Sequence, residues 1–327
     1  MLEYIHSAKL MPCYSPLKGW RCPLTGGIVF KRPSGAVVEM CVACSQCLGC
    51  RLDHSRMWMV RCVHEASLWD DNCFITLTYR PKELCTAEQL AKGWHVPNDG
   101  SLNKKHFQDF MKRLRKKFSD IRIRYYHCGE YGDQLDRPHY HACLFNFDFS
   151  DKELFKQSEG YALFVSKTLE QLWPYGFSTV GELTAESAAY CARYILKKVN
   201  GNGRHEHYLR VDEYGVAYWL QEEYVTMSRR PGIGRGFYEK FESDFFPRDE
   251  VPVPGVGVLR KVPRYYENMF AEGSPEEHEK VKQLRKAFRD AHKEEYSSDR
   301  LMDKYRVKKA QIKTLTRSYE NHETFYV

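Results

Sequence analysis

Two histidines stand at alternate positions in Arg137-Pro138-His139-Tyr140-His141-Ala142-Cys143-Leu144-Phe145. Successive side chains of a strand point to opposite faces, so a strand here projects His139 and His141 side by side. Residues 121–129 read as a second strand, and Gly132-Asp133-Gln134-Leu135-Asp136 as the polar turn leading to a strand over 138–147. Such a hairpin brings Glu130 roughly opposite the histidines. A His-His-Glu set with open positions can hold Mn²⁺ or Mg²⁺ against a phosphate, with imidazole nitrogen suiting Mn²⁺ better. Alone, His-x-His on a strand is equally what two half-exposed polar residues on any sheet look like.

The neighbouring segments supply a fold around this hairpin. Residues 53–69 read as a helix. Residues 72–79 are rich in β-branched and aromatic side chains and end at Arg80-Pro81, which marks a strand. Asn103 is a good N-cap for a helix over 104–118, where Phe107, Phe110, Met111, Leu114 and Phe118 recur at helical spacing. A helical stretch near 165–173, a strand near 177–183 and a helix near 184–198 follow. The pattern predicts an α+β fold with a central antiparallel sheet and flanking helices. Proline and glycine break up residues 1–55, a cysteine-rich segment, and mark 249–272 as a linker. The central domain is then 56–248. A charged helical tail, 273–327, opens on a capping box at Ser274 and Glu277 with Pro275 at the first helical position. Its apolar stripe is Val281, Leu284, Phe288 and Ala291, Ser297 and Ser298 interrupt it, and a basic stretch follows at Lys304, Arg306, Lys308, Lys309 and Lys313.

Composition narrows the partners. The 327 residues carry 50 Lys+Arg against 43 Asp+Glu, a net +7, with 14% aromatic residues. Single-stranded nucleic acid is gripped by basic grooves with rings for bases to stack on, although core packing accounts for most rings. The cationic face of helix 104–118, with Lys112, Arg113, Arg115 and Lys116, suits DNA phosphate or plain solvation. So does the basic, glycine-rich run holding Arg229, Arg230 and Arg235. That run lacks the ending of a nucleotide-binding loop, which argues against a nucleotide cofactor or a built-in helicase. No apolar run approaches the ~18 residues of a membrane helix. Glu3, His6 and Lys9 exclude a signal peptide. The expected location is a reducing cytoplasm, so the 12 cysteines are not chiefly disulfides. Cys44-x-x-Cys47 and Cys47-x-x-Cys50 have zinc-knuckle spacing. An iron–sulfur cluster or a loop of free thiols fits the same run, which also contains Cys41.

Tyr190 and Tyr194 share a face of the 184–198 helix, with Lys197 and Lys198 just beyond. Paired tyrosines at that spacing alone would be packing. A tyrosine hydroxyl, with a pKa of about 10, becomes a useful nucleophile beside a cation and a metal-bound phosphate.

Taken in order, Phe74-Ile75-Thr76-Leu77-Thr78-Tyr79, Arg137-Pro138-His139-Tyr140-His141 and Tyr190-x-x-x-Tyr194 resemble the three motifs of HUH endonucleases. The chain is most similar to replication initiators of microviruses, the gokushovirus group in particular. The likeness extends through Met11-Pro12-Cys13-Tyr14, Cys44 to Arg51, His127 to Gly132 and Thr226 to Gly234, covering about residues 11–248. It implies an RRM-like or ferredoxin-like sheet, His139 and His141 as metal ligands, and Tyr190 and Tyr194 as nucleophiles. The third ligand varies among HUH enzymes, and Glu130 is the candidate here. The resemblance adds Cys13 to Cys44, Cys47 and Cys50 as a structural Zn²⁺ site. The implied activity is nicking of a single-stranded DNA origin through a 5′-phosphotyrosine link. Strand transfer then closes the circle, and a host helicase and DNA polymerase act alongside in the bacterial cytoplasm. The rival readings are a zinc hydrolase that uses an activated water, and a non-enzymatic zinc-knuckle nucleic-acid-binding protein.

Overall fold

The computed structural model describes residues 13–22, 25–34, 38–132, 136–158, 161–193, 203–212 and 214–323. Two compact units divide the chain. One comprises Met1–His54, Pro247–Glu250 and Leu259–Val327, the other Ser55–Phe246 and Val251–Val258.

In chain order, β1 (Leu17–Arg21), β2 (Ile28–Val29) and β3 (Glu39–Val42) form a small antiparallel sheet in the order β2-β1-β3. Helix α1 (Leu48–Ala66) starts five residues before the expected 53, inside the cysteine run. The cysteines carry no apolar periodicity, so spacing alone does not reveal that the helix begins among them. Then come β4 (Asn72–Tyr79), α2 (Ala87–Ala91), α3 (Lys104–Lys117), β5 (Arg124–Tyr131), β6 (Pro138–Phe145), β7 (Lys152–Ser158), β8 (Tyr161–Ser166), α4 (Lys167–Leu172), β9 (Gly176–Glu182) and α5 (Ala185–Arg193). Of the expected turn between β5 and β6, residues 133–135 lie outside the described residues. After α5 follow α6 (Arg204–Tyr208), β10 (Leu209–Val211), β11 (Ala217–Trp219), β12 (Tyr224–Met227) and α7 (Arg235–Phe245).

The larger unit is built on a seven-stranded sheet, β12-β5-β6-β4-β9-β8-β7, antiparallel at every pairing. This is the expected α+β architecture, extended by the β7–β8 hairpin and the edge strand β12. Alternation assigns the two faces. Ile75, Leu77 and Tyr79 of β4, Tyr140, Ala142 and Leu144 of β6 and Val180 of β9 are buried in one core with Phe107, Phe110 and Leu114 of α3 and with Trp173. Burial of each large side chain there contributes roughly 1.5–3 kcal/mol. Asn103 caps α3 by accepting from the Lys105 amide, as its sequence position predicts. The opposite face of the sheet carries the interleaved residues Phe74, Thr76, Thr78, His139, His141 and Cys143. Arg124 at the start of β5 donates to the buried Glu65 of α1 at 2.6 Å, and Glu65 also accepts from the Gly234 amide. Removing either partner of that pair would strand a buried charge, at a cost of roughly 3–5 kcal/mol.

The stretch expected as a linker is folded: β13 (Glu250–Val253) and β14 (Gly257–Arg260) form a hairpin and α8 (Arg264–Gly273) follows. Its prolines and glycines serve turns and edges instead of an open connector, and Val251, Val253 and Leu259 are buried. Helix α9 (Pro275–Ala291) comes next, with α10 (Ser298–Glu323) after the expected break at Ser297 and Ser298. The capping box does not form. Ser274 makes no side-chain cap bond, because its backbone amide already closes α8 on the Phe270 carbonyl and its conformation is set by that helix end. Of the apolar stripe, Val281 is buried, whereas Leu284 and Phe288 are 64% and 47% exposed. Nor is the basic stretch one cationic face: Lys304 pairs with Glu295, Arg306 with Asp303, and Lys308 is buried. The Lys313 side chain lies outside the described residues. Tail and cysteine-rich segment belong to the same unit, with the Tyr305 ring 5.6 Å from that of Tyr14.

Candidate active site

Sheet register builds the site. Glu130 of β5 lies opposite His139 of β6, and His139 lies opposite Thr78 of β4. One step along, Cys128, His141 and Thr76 form the parallel row. Directly opposed residues of antiparallel strands share a face, so both histidines and the carboxylate converge. The Glu130 Oε1 atom lies 2.7 Å from His139 Nε2 and 2.9 Å from His141 Nε2. Glu130 is fully buried and His141 nearly so. Burial pushes the Glu130 carboxyl up, but the charge and hydrogen bonds of the two histidines outweigh it and hold it down at about 2. The carboxylate is therefore ionised at neutral pH.

Each imidazole is also oriented from behind. His139 Nδ1 donates to the Arg137 carbonyl at 3.0 Å, and His141 Nδ1 lies 3.0 Å from Thr76 Oγ1. A metal-binding imidazole commonly has its far nitrogen tied in this way, which fixes the tautomer and aims the other nitrogen at the ion. The ligand atoms of Glu130, His139 and His141 all lie within 4.8 Å of one another. The donor set therefore fits a divalent ion: two aimed imidazole nitrogens and an ionised carboxylate. Thr76 is a site residue that sequence reasoning misses. It lies within the quoted strand motif, but a bond across 65 residues leaves no local mark.

The face is roofed by α5. Its Tyr190 ring stands edge-on to His141 at 5.0 Å and to Phe74 at 6.3 Å, and the Arg193 guanidinium lies 5.6 Å over the Tyr190 ring. Cys191 anchors the helix below, with its thiol 3.5 Å from Cys128 and 3.6 Å from the His141 carbonyl. Tyr190 is thus beside the ligand triad. Tyr194, Lys197 and Lys198 lie outside the described residues.

The second cluster consists of Cys13, Cys44, Cys47 and Cys50, all four thiols again within 4.8 Å of one another. Cys41 is exposed in β3 and outside it. Backbone amides point at the sulfurs: Cys44 N at Cys13, Cys47 N at Cys44 and Tyr14 N at Cys47. Burial raises the Cys47 thiol, yet donation from the Cys50 and Tyr14 amides and from the thiols of Cys44 and Cys50 brings it down to about 7. Burial holds Cys13 and Cys50 up instead. Four converging sulfurs with donated amides suit a thiophilic ion.

The expected DNA-binding cations separate into two groups. Arg115, Arg229 and Arg230 line a cavity of about 1000 Å³, together with Arg122 and Arg124, which carry no sequence signal of their own. Lys112, Arg113, Lys116 and Arg235 do not line it. Arg113 donates to the Leu172 carbonyl, Lys112 pairs with Asp109, and Arg235 pairs with Glu239. Among the described residues, no helix is long and apolar enough to cross a membrane.

Residues 72–199, which span both the triad and Tyr190, match the family model of the replication-associated protein ORF2. The chain is 32% identical over 278 residues to replication-associated protein VP4 of Bdellovibrio phage phiMH2K, covering 81% of this chain and 79% of that protein. It is 37% identical over 238 residues to replication-associated protein ORF2 of Spiroplasma virus 4, covering 71% and 68%. Against replication-associated protein ORF4 of Chlamydia phage 1 it is 31% identical over 170 residues, covering 48% and 38%. No solved structure matches. With two relatives above 30% identity along most of their lengths, the chain belongs to the replication-associated proteins of microvirus type.

Proposed function

We propose that this protein starts rolling-circle replication as an HUH-type endonuclease that nicks a single-stranded DNA origin. The observation that carries the reading is the placement of Tyr190 beside an aimed His-His-Glu triad. Glu130, His139 and His141 would hold Mn²⁺ or Mg²⁺, which when bound would neutralise charge on the scissile phosphate. Tyr190 Oη attacks the phosphorus as it gives up its proton. The bond to the 3′ oxygen breaks, and that oxygen takes up a proton from solvent. The products are a 5′-phosphotyrosine link and a free 3′-hydroxyl able to prime a host polymerase. Tyr194 is proposed to cut the regenerated origin after a round of synthesis. The 3′-hydroxyl freed by that cut then attacks the first phosphotyrosine, releases Tyr190 and closes the circle.

In the same reading, Cys13, Cys44, Cys47 and Cys50 hold a structural Zn²⁺, and Lys197 and Lys198 flank the nucleophiles. Arg115, Arg229 and Arg230 contact DNA phosphate, because cations lining one cavity present a concentrated positive field. The reaction takes place in the host cytoplasm, and a host helicase supplies unwinding.

Incubation with single-stranded phage DNA and Mn²⁺, followed by a denaturing gel, tests the reading. A protein–DNA conjugate that survives denaturation is expected. Cleavage that leaves a free 5′-phosphate and no conjugate would replace it with metal-assisted hydrolysis by water.

A further inference from the structure

Beyond the triad, the metal-binding face continues across the sheet toward β9. Thr78 of β4 pairs with His139 on one side and with Phe177 of β9 on the other. Glu130, His139, Thr78 and Phe177 therefore form one in-register row on one face of four adjacent strands. Strands lie about 4.8 Å apart, which puts the Phe177 backbone roughly 10 Å from that of His139.

Phe177 is unusual for its place. It is 48% exposed, while its strand neighbours Gly176, Ser178, Thr179 and Val180 are all buried. A single exposed phenylalanine means little by itself. Here two features distinguish it. The Arg80 guanidinium lies 5.2 Å from the ring centroid, so a cation and a π-surface are presented together. Gly176 also brings β9 against β4 so closely that a Cβ there would meet the Thr78 carbonyl at 2.1 Å and the Arg80 amide at 2.4 Å. The approach that seats Phe177 beside the site row thus depends on a residue without a side chain.

We propose that Phe177, steadied by Arg80, is a stacking platform for the nucleobase next to the scissile phosphate. The inference rests on the nicking reading of the triad. A strand whose phosphate sits over Glu130, His139 and His141 and runs across the sheet passes over β4 and reaches β9 with its neighbouring nucleotide. Every base has a π-face, so an aromatic ring there holds the strand without reading its sequence. The Arg80 guanidinium can meet the adjoining phosphate from the ring's edge. Phe177 acts as a positioning residue: it holds the strand in register with the nucleophile and takes no part in the chemistry.

The test uses the full chain with Phe177→Ala and Phe177→Trp. The probe is a single-stranded oligonucleotide whose cut position has been mapped, plus a series with one abasic nucleotide moved along it. Phe177→Ala should weaken metal-free binding and raise KM about tenfold, the order of one missing base–aromatic stack, with kcat nearly unchanged. Phe177→Trp should restore both, and its indole fluorescence should be quenched on binding. An abasic nucleotide at one position flanking the cut should cost the wild type the same factor and cost Phe177→Ala nothing more. Unchanged binding and KM in a folded Phe177→Ala would overturn the platform, as would an abasic penalty that is the same in variant and wild type at every position. If the wild type fails to form a conjugate, the nicking reading fails instead, while metal-free binding still decides whether Phe177 stacks a base.

Discussion

Two ligand clusters in this chain are assembled by opposite means. Glu130, His139 and His141 stand on paired strands of a seven-stranded sheet, each imidazole tied from behind by Arg137 or Thr76. Their geometry is set by backbone register and by a core on the far face of the sheet. Cys13, Cys44, Cys47 and Cys50 come from a loop and the start of α1, are only half-buried, and are oriented by amides of the same short segments. One site is made by the fold and then receives an ion. In the other, the ion supplies a large part of the folding free energy, as small thiolate sites generally do. The sheet site should therefore lose function without losing structure, and the thiolate site should lose structure first.

The largest effect expected is at the nucleophiles. Replacing Tyr190 and Tyr194 together with Phe keeps both rings and removes only the hydroxyls, so the covalent conjugate should vanish while circular dichroism and melting temperature stay close to wild type. Each single variant should retain part of the nicking. A conjugate formed by the double variant would remove the tyrosines from the mechanism.

Next comes the triad. His139→Ala together with His141→Ala should abolish Mn²⁺-stimulated nicking but spare most DNA binding, because affinity comes mainly from phosphate contacts elsewhere. Thr76→Val should weaken metal affinity by roughly 10–100-fold through loss of the bond behind His141. A titration showing unaltered Mn²⁺ affinity would mean that register alone aims the ring.

Removing the thiolate ion sharpens the contrast from the other side. Protein purified without chelator should contain about one Zn²⁺ per chain. Chelation or Cys47→Ser should expose α10 to protease, because Tyr305 of that helix packs on Tyr14 next to Cys13. Iron and sulfide in the metal analysis, or an α10 equally protected without metal, would break the comparison. The same packing alters what truncation does. A chain ending near residue 272 keeps Glu130, His139, His141 and Tyr190 and should still nick a single-stranded oligonucleotide. It lacks the ring that packs on Tyr14, so its zinc should become easier to strip.

The smallest effect lies in the arginine-lined cavity. Arg229→Ala or Arg230→Ala should weaken DNA binding modestly and reduce the salt slope by about 1 for each phosphate no longer neutralised. Lys112→Ala, which removes a partner of Asp109 outside that cavity, should leave the slope unchanged.

Local order was legible in the sequence. Alternation over 138–145 and 72–79 determines which side chains share a face, and Asn103 with the apolar spacing after it determines α3. His139 and His141 as a pair, Tyr190 as a helix residue and the cysteine spacing follow from the same short-range rules. Glu130 was reachable too, since a single hairpin separates it from the histidines.

What lay beyond was decided by pairings that leave no local trace. The ends of β7, β8 and β12 are set by neighbouring strands, because an edge or hairpin strand gains its stability from the partner it joins. Residues 249–272 show the turn chemistry of a linker, and only burial of Val251, Val253 and Leu259 makes them structure. Ser274 has the composition of a helix cap, but the end of α8 already holds its backbone. Thr76 behind His141, Phe177 level with His139, and Tyr305 against Tyr14 join residues far apart in the chain. Composition and periodicity act over a few residues, whereas closing those long loops depends on the whole core. The chemical groups of the site were therefore determined by the sequence itself, and their convergence by the tertiary structure.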